Sequence, residues 1–185
     1  ATCQKYGLRL FIDGARLGYG LVSAACDYDL PFLAKHCDAF YIGGTKVGAM
    51  MGEAVVFSGM KAPKYFFTNV KRHGALLAKG RMLGIQFDTL FTDELYFKIS
   101  RHAIAMATRI RSIFEKHGIA IAYDSPTNQQ FVVLSPALYE AISPKVAFEI
   151  WERKSEHEII CRFVTSWATK EEELDELDRI LQAYA

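Results

Sequence analysis

Apolar residues in this chain come in short runs cut off by glycine or polar turn residues, alternating with stretches of helical period. The first run, Leu8, Leu10, Phe11 and Ile12, reads as a buried strand that ends on Asp13. A weakly helical stretch, Leu17 to Ala25, and a better one, Leu30 to His36, lead to a second run, Ala39 to Ile42. That run meets Gly43, Gly44, Thr45 and Lys46; a loop with Gly48 and Gly52 follows, then a third run, Ala54 to Phe57. The second and third runs also read as buried strands between turn signals. Strand, crossover and strand make a βαβ unit, which predicts Asp13 and Lys46 at the carboxyl ends of parallel strands, where open α/β sheets bind ligands.

The rest of the chain changes texture. Residues Lys61 to Arg81 are basic and glycine-punctuated. Thr92 reads as an N-cap, with Asp93 and Glu94 in the first turn of a long helix. Leu95, Ile99, Ala103, Met106, Ile110 and Ile113 mark its apolar face, and Gly118 closes it. Ile119 to Tyr123, Phe131 to Leu134 and Ile159 to Trp167 read as three strands, with short helices at Pro136 to Ser143 and Val146 to Arg153. A capping box of Thr169 and Glu172 opens a last helix whose buried stripe is Leu174, Leu177, Ile180 and Leu181. This half predicts a small α+β layer.

Composition narrows the class. The 185 residues suffice for one large domain or two small ones, and 51% hydrophobic residues exclude disorder. A formal net charge of +1 gives no field to recruit nucleic acid or a membrane surface. No apolar run reaches membrane-spanning length, and Ala1 to Gly7 is no signal peptide. Cys3, Cys26, Cys37 and Cys161 lack metal-ligand spacing and read as reduced thiols of a cytoplasmic protein. His36, His73, His102, His117 and His157 show no pairing that suggests a metal.

Three features carry candidate chemistry. Lys46 stands past a strand end among glycines; desolvation there would lower its pKa and free the amine to form a Schiff base with a carbonyl compound. The plain alternative is an exposed loop lysine. Asp13, Arg16 and Lys46 together suit a pyridinium cofactor with an aldehyde handle. Arg162 is either an outward-facing strand charge or a bidentate clamp for an amino-acid carboxylate. The basic stretch through Arg72 and Lys79 reads as a solvated surface helix, with too few aromatics for a nucleic-acid site.

Phe11-Ile-Asp13-Gly-Ala-Arg16-Leu, then Gly43-Gly-Thr45-Lys46 and a glycine-containing loop, resembles the threonine aldolases. These are fold type I pyridoxal 5'-phosphate enzymes of the β-eliminating-lyase family. After the lysine this chain reads Val47-Gly-Ala-Met-Met-Gly-Glu53, where many relatives read Gly-Leu-Gly-Ala-Pro-Val-Gly, which leaves the subfamily open. The resemblance implies the carboxyl-terminal half of an enzyme: residues 1–93 as the last part of the large parallel-sheet domain, and 94–185 as the small α+β domain. It implies that Lys46 holds the cofactor and that Asp13 keeps its ring nitrogen protonated. Arg16 and Thr45 are further implied cofactor contacts. Arg72 and Lys79, seven residues apart, match cations that reach the cofactor phosphate of a neighbouring subunit, hence a homo-oligomer, dimer or tetramer. Arg162, in Arg162-Phe-Val-Thr-Ser-Trp167, falls where the family binds the substrate carboxylate, helped by Arg16.

The implied activity is cleavage of β-hydroxy-α-amino acids, such as threonine or allo-threonine, into glycine and an aldehyde. In the family the phosphate cup and the residue stacked on the cofactor ring precede the Asp-Gly-Ala-Arg string. The expected partners are therefore an amino-acid substrate and the amino-terminal half of the same enzyme, and the chain alone is expected to be inactive. One rival is β-elimination or desulfination on the same scaffold. The other is an isolated half, or a binding module, without cofactor.

Overall fold

The computed structural model describes residues 1–184, and the predicted strand–crossover–strand unit opens it. After a short helix, Thr2–Lys5 (α1), comes Phe11–Ile12 (β1), then helices Leu17–Leu21 (α2) and Leu30–His36 (α3), then Ala39–Gly43 (β2). β1 and β2 pair in parallel, Phe11 opposite Ala39 and Ile12 opposite Phe40. Glu53–Phe57 (β3) returns antiparallel to β2, so the sheet runs β1-β2-β3. Asp29 caps α3 by accepting from the Phe32 amide at 2.8 Å. The expected helix from Leu17 to Ala25 stops at Leu21.

Burial follows position in this sheet rather than hydrophobicity. Central β2 is buried, as its apolar run predicts. The expectation that the flanking strands are buried is overturned: Leu8 is 60%, Phe11 59% and Val55 48% exposed. β1 and β3 are the edge strands of this sheet, and Leu8 precedes β1. Phe66–Arg72 (α4) and Arg81–Phe91 (α5) follow, so the basic stretch is helical only over α4 and turns through Lys79 before α5 begins.

Thr92 does not cap the long helix. Its hydroxyl donates to the Asp88 carbonyl at 2.8 Å, closing α5 instead. Asp93 and Glu94 take left-handed φ values of 50° and 59°, so the next helix begins only at Leu95 (α6, Leu95–Lys116). Residues Ala1–Leu21 and Cys26–Lys98 form one compact unit; Val22–Ala25 and the chain from Ile99 form the other. The division falls inside α6.

In the second unit Ile121–Tyr123 (β4), Gln129–Leu134 (β5), Pro136–Ile142 (α7), Glu149–Arg153 (β6), Ile159–Val164 (β7) and Glu171–Gln182 (α8) complete the chain. The sheet is antiparallel, in the order β4-β5-β7-β6. Four strands replace the expected three, because the segment read as a helix at Val146 to Arg153 holds β6. All five β6 residues are exposed, so no alternating apolar pattern marks it; pairing with β7 specifies the strand. Gly118, at φ 69°, ends α6 as expected, with the Ile119 amide donating to Phe114 at 2.9 Å. The α8 capping box lies one residue later than the sequence suggested: the Glu173 carboxylate accepts from the Lys170 amide at 2.9 Å, while Thr169 accepts from the Ser166 amide.

Met106, Ile110, Ile113 and Phe114 of α6 pack with Val132, Leu134, Cys161, Phe163 and the α8 leucines in this unit's core. Phe114 is fully buried and meets the Phe163 ring edge-on at 4.7 Å. Phe114→Ala is expected to cost about 3–5 kcal/mol. Urea unfolding followed by far-UV circular dichroism measures it; a loss below about 1 kcal/mol would show that the site relaxes around the missing ring. All four cysteines are free thiols, and burial pushes Cys161 up to about 11. Among the described residues no helix is long and apolar enough to cross a membrane.

Candidate active site

The turn after β1 and the turn after β2 are built against each other. Gly14 follows Asp13, and a Cβ there would lie 1.7 Å from the Tyr41 carbonyl oxygen. A Cβ on Gly43 would lie 2.5 Å from the Gly14 and Ala15 carbonyls. Both positions therefore require glycine, and the Gly43 amide donates to the Gly14 carbonyl at 2.9 Å. This contact fixes the Asp13 turn beside the Lys46 turn.

Asp13 lies one residue past β1 and is exposed. Its Oδ1 accepts from the Tyr41 hydroxyl and from the Ala15 amide, the latter at 3.0 Å. Oδ2 carries no hydrogen bond among the described residues. The Tyr41 hydroxyl first, then the Ala15 amide and the Lys46 charge, hold the Asp13 carboxyl below its ordinary range against some desolvation. Asp13 is thus an anion at neutral pH. The Asp13 carboxylate in turn pushes Tyr41 up to about 12, so the phenol stays a donor.

The Lys46 turn is held by two buried tyrosines. Tyr96, fully buried, donates to the Gly43 carbonyl at 2.9 Å and accepts from the Gly18 amide at 3.1 Å. Tyr19, 1% exposed, donates to the Lys46 carbonyl. The Glu53 carboxylate also accepts from the Gly44 amide and from the Thr45 hydroxyl, the latter at 3.2 Å. The backbone carrying Lys46 is therefore pinned at Gly43, Gly44 and Lys46 itself. The Lys46 side chain is exposed, not desolvated as its place in the sequence suggested, and its amine makes no hydrogen bond or ion pair among the described residues.

Arg16, Arg72 and Lys79 make no side-chain hydrogen bond to this network among the described residues. Arg16 is half-buried at the start of α2. Arg72 ends α4, and Lys79 lies in the turn before α5; both are exposed and make no ion pair among the described residues. In the second unit Arg162 sits on β7 with its side chain 18% exposed. Its guanidinium donates to Glu149, donates to Gln129 Oε1 at 2.9 Å and lies over the Trp151 ring at 5.2 Å. Nε is buried without a partner. Arg162 is thus neither a solvated surface charge nor an unengaged clamp. Among the described residues no group of His, Cys, Asp and Glu could hold a metal ion.

Sequence reading missed four contributors: Tyr41, Glu53, Tyr19 and Tyr96. Tyr41 was available in principle, because the β1–β2 register sets it abreast of Asp13. Tyr96 lies too far along the chain for any local pattern to reveal it.

No family model matches the chain. It is 28% identical to a low-specificity L-threonine aldolase of a Pseudomonas species over 99% of its own length and 52% of that protein's. The structure of a threonine aldolase of Leishmania major superimposes with a TM-score of 0.94 and 36% identity, covering 99% of this chain and 54% of that one. A serine palmitoyltransferase of S. paucimobilis, solved with a bound pyridoxal phosphate adduct, matches with a TM-score of 0.64 at 13% identity over 98% of this chain and 48% of its own, which establishes the fold alone. The fold is that of the fold type I pyridoxal phosphate enzymes. The chain spans about half the length of the relatives it matches. Along nearly its whole length it is similar to threonine aldolases, and the resemblance carried by Asp13-Gly-Ala-Arg16 and Thr45-Lys46 is borne out.

Proposed function

We propose that this chain is part of a pyridoxal phosphate-dependent lyase that cleaves β-hydroxy-α-amino acids, such as threonine or allo-threonine, into glycine and an aldehyde. The observation that carries the reading is the pair of adjoining turns after β1 and β2. One presents a carboxylate anchored through Oδ1 with Oδ2 bare; the other presents an unengaged lysine amine on a pinned backbone. This donor set fits the cofactor. Pyridoxal phosphate, when bound, supplies an aldehyde for an amine to condense with and a ring that accepts the electron pair released as the Cα–Cβ bond breaks.

Lys46 is the amine that would hold the cofactor, and the substrate amine would displace it. Asp13 Oδ2 would accept the ring N–H and keep that proton on nitrogen, which a carboxylate of lowered pKa does well. Thr45 and Arg16 would add cofactor contacts. Arg162 would bind the substrate carboxylate, helped by Arg16; its orphaned Nε supports this role. Lys79, with Arg72 as a lesser candidate, would reach the cofactor phosphate of a neighbouring subunit in a dimer or tetramer.

The exposed apolar side chains of the edge strands, Phe11 and Val55, and of Leu8 just before β1 support a partner segment along this sheet. We assign that segment to the other half of the enzyme. The cytoplasm is the proposed location, on the strength of four free thiols.

The test gives threonine to a complete enzyme containing this chain and follows aldehyde release by a coupled dehydrogenase. Equal yields of glycine and acetaldehyde are expected. A keto acid and ammonia from serine or cysteine, with threonine untouched, would assign another lyase reaction. A second measurement concerns Glu149, which competes for the guanidinium that would bind the carboxylate. Glu149→Ala is expected to lower the KM for threonine roughly two- to five-fold, since an ion pair this exposed is worth under about 1 kcal/mol. An unchanged KM would show that Glu149 and the substrate do not compete.

A further inference from the structure

We infer that Tyr41 is a positioning residue for Asp13: it fixes the carboxylate through one oxygen so that the other meets a cofactor ring nitrogen. The inference rests on the proposed function. Its geometry begins with the strand register. Ile12 and Phe40 are partners in the parallel pair, so the next residues, Asp13 and Tyr41, stand abreast at the strand ends. Asp13 is exposed, and without Tyr41 a single hydrogen bond, from the Ala15 amide, would hold its carboxylate.

Tyr41 is itself well fixed. Its backbone is packed against Gly14, where no Cβ would fit, and its ring lies against Phe11 at 6.1 Å between centroids. The hydroxyl donates to Oδ1 and not to Oδ2. The two donors on Oδ1 thus leave Oδ2 as the acceptor for a ring N–H. The same phenol draws charge from the carboxylate, which keeps a shared proton on the ring nitrogen rather than on Asp13. Both effects act only through that nitrogen.

This gives a readout that a merely structural tyrosine would not move. In a complete enzyme containing this chain, stripped of cofactor, binding of pyridoxal phosphate is compared by fluorescence quenching with an analogue whose ring nitrogen is replaced by CH. Tyr41→Phe is expected to weaken pyridoxal phosphate about ten-fold, in line with the loss of one hydrogen bond to a charged group, and to leave the analogue unchanged. In an Asp13→Asn background Tyr41→Phe is expected to add no further selective loss. Equal weakening of both ligands, or of neither, would overturn the positioning role while leaving the proposed function standing. A selective loss that persists without the Asp13 carboxylate would overturn it too. Failure of the unaltered enzyme to bind pyridoxal phosphate would overturn the proposed function and this inference together.

Discussion

Lys46→Ala is expected to lower threonine turnover by at least about a thousand-fold in a complete enzyme containing this chain, because it removes the amine that holds the cofactor. The fold should be untouched. The Lys46 side chain is exposed and makes no hydrogen bond or ion pair among the described residues, so its loss should change stability by less than about 0.5 kcal/mol. The contact that pins the turn, from the Tyr19 hydroxyl, goes to the Lys46 backbone carbonyl and survives the substitution. The check is kcat by aldehyde release, with the thermal midpoint of the same sample as control. Turnover within ten-fold of the unaltered enzyme, at an unchanged midpoint, would mean that another group holds the cofactor.

The second large effect is at Asp13. Asp13→Ala removes the anion that keeps the ring nitrogen charged, so turnover should fall by on the order of 10²–10⁴-fold while the cofactor remains attached through Lys46. Asp13→Glu should recover little. The close approach of Gly14 to the Tyr41 carbonyl leaves no slack in this turn, and a longer side chain carries its carboxylate past the Tyr41 hydroxyl. Single-turnover measurements with cofactor saturating separate the chemical step from binding. Near-normal turnover in Asp13→Ala would mark this residue as a structural strand-end aspartate.

The positions of the candidate site residues were more legible in the sequence than the surroundings that organise them. Asp13, Gly14 and Lys46 are local: each sits where an apolar run ends, and the crossover between them is read from spacing alone. The parallel β1–β2 pairing follows from that crossover. The burial of the flanking strands did not follow, since exposure of Phe11 and Val55 depends on neighbours along the sheet rather than on their own apolar character. The strand at Glu149–Arg153 was hidden because an exposed edge strand carries no period-two signal. The polar frame of the site was hidden for a different reason. Tyr96 reaches Gly43 across 53 residues of sequence, and no periodicity encodes such a hydrogen bond. Arg162 shows the same limit: its strand was visible, but Glu149 and Trp151, which engage it, belong to the strand that sequence reading took for a helix.

Borohydride reduction followed by peptide mapping tests the central claim most directly. A complete enzyme containing this chain is loaded with pyridoxal phosphate, reduced, digested and analysed by mass spectrometry. One pyridoxyl phosphate adduct per chain is expected, carried by Lys46. An adduct on a different lysine, or none in a protein that still cleaves threonine, would contradict it.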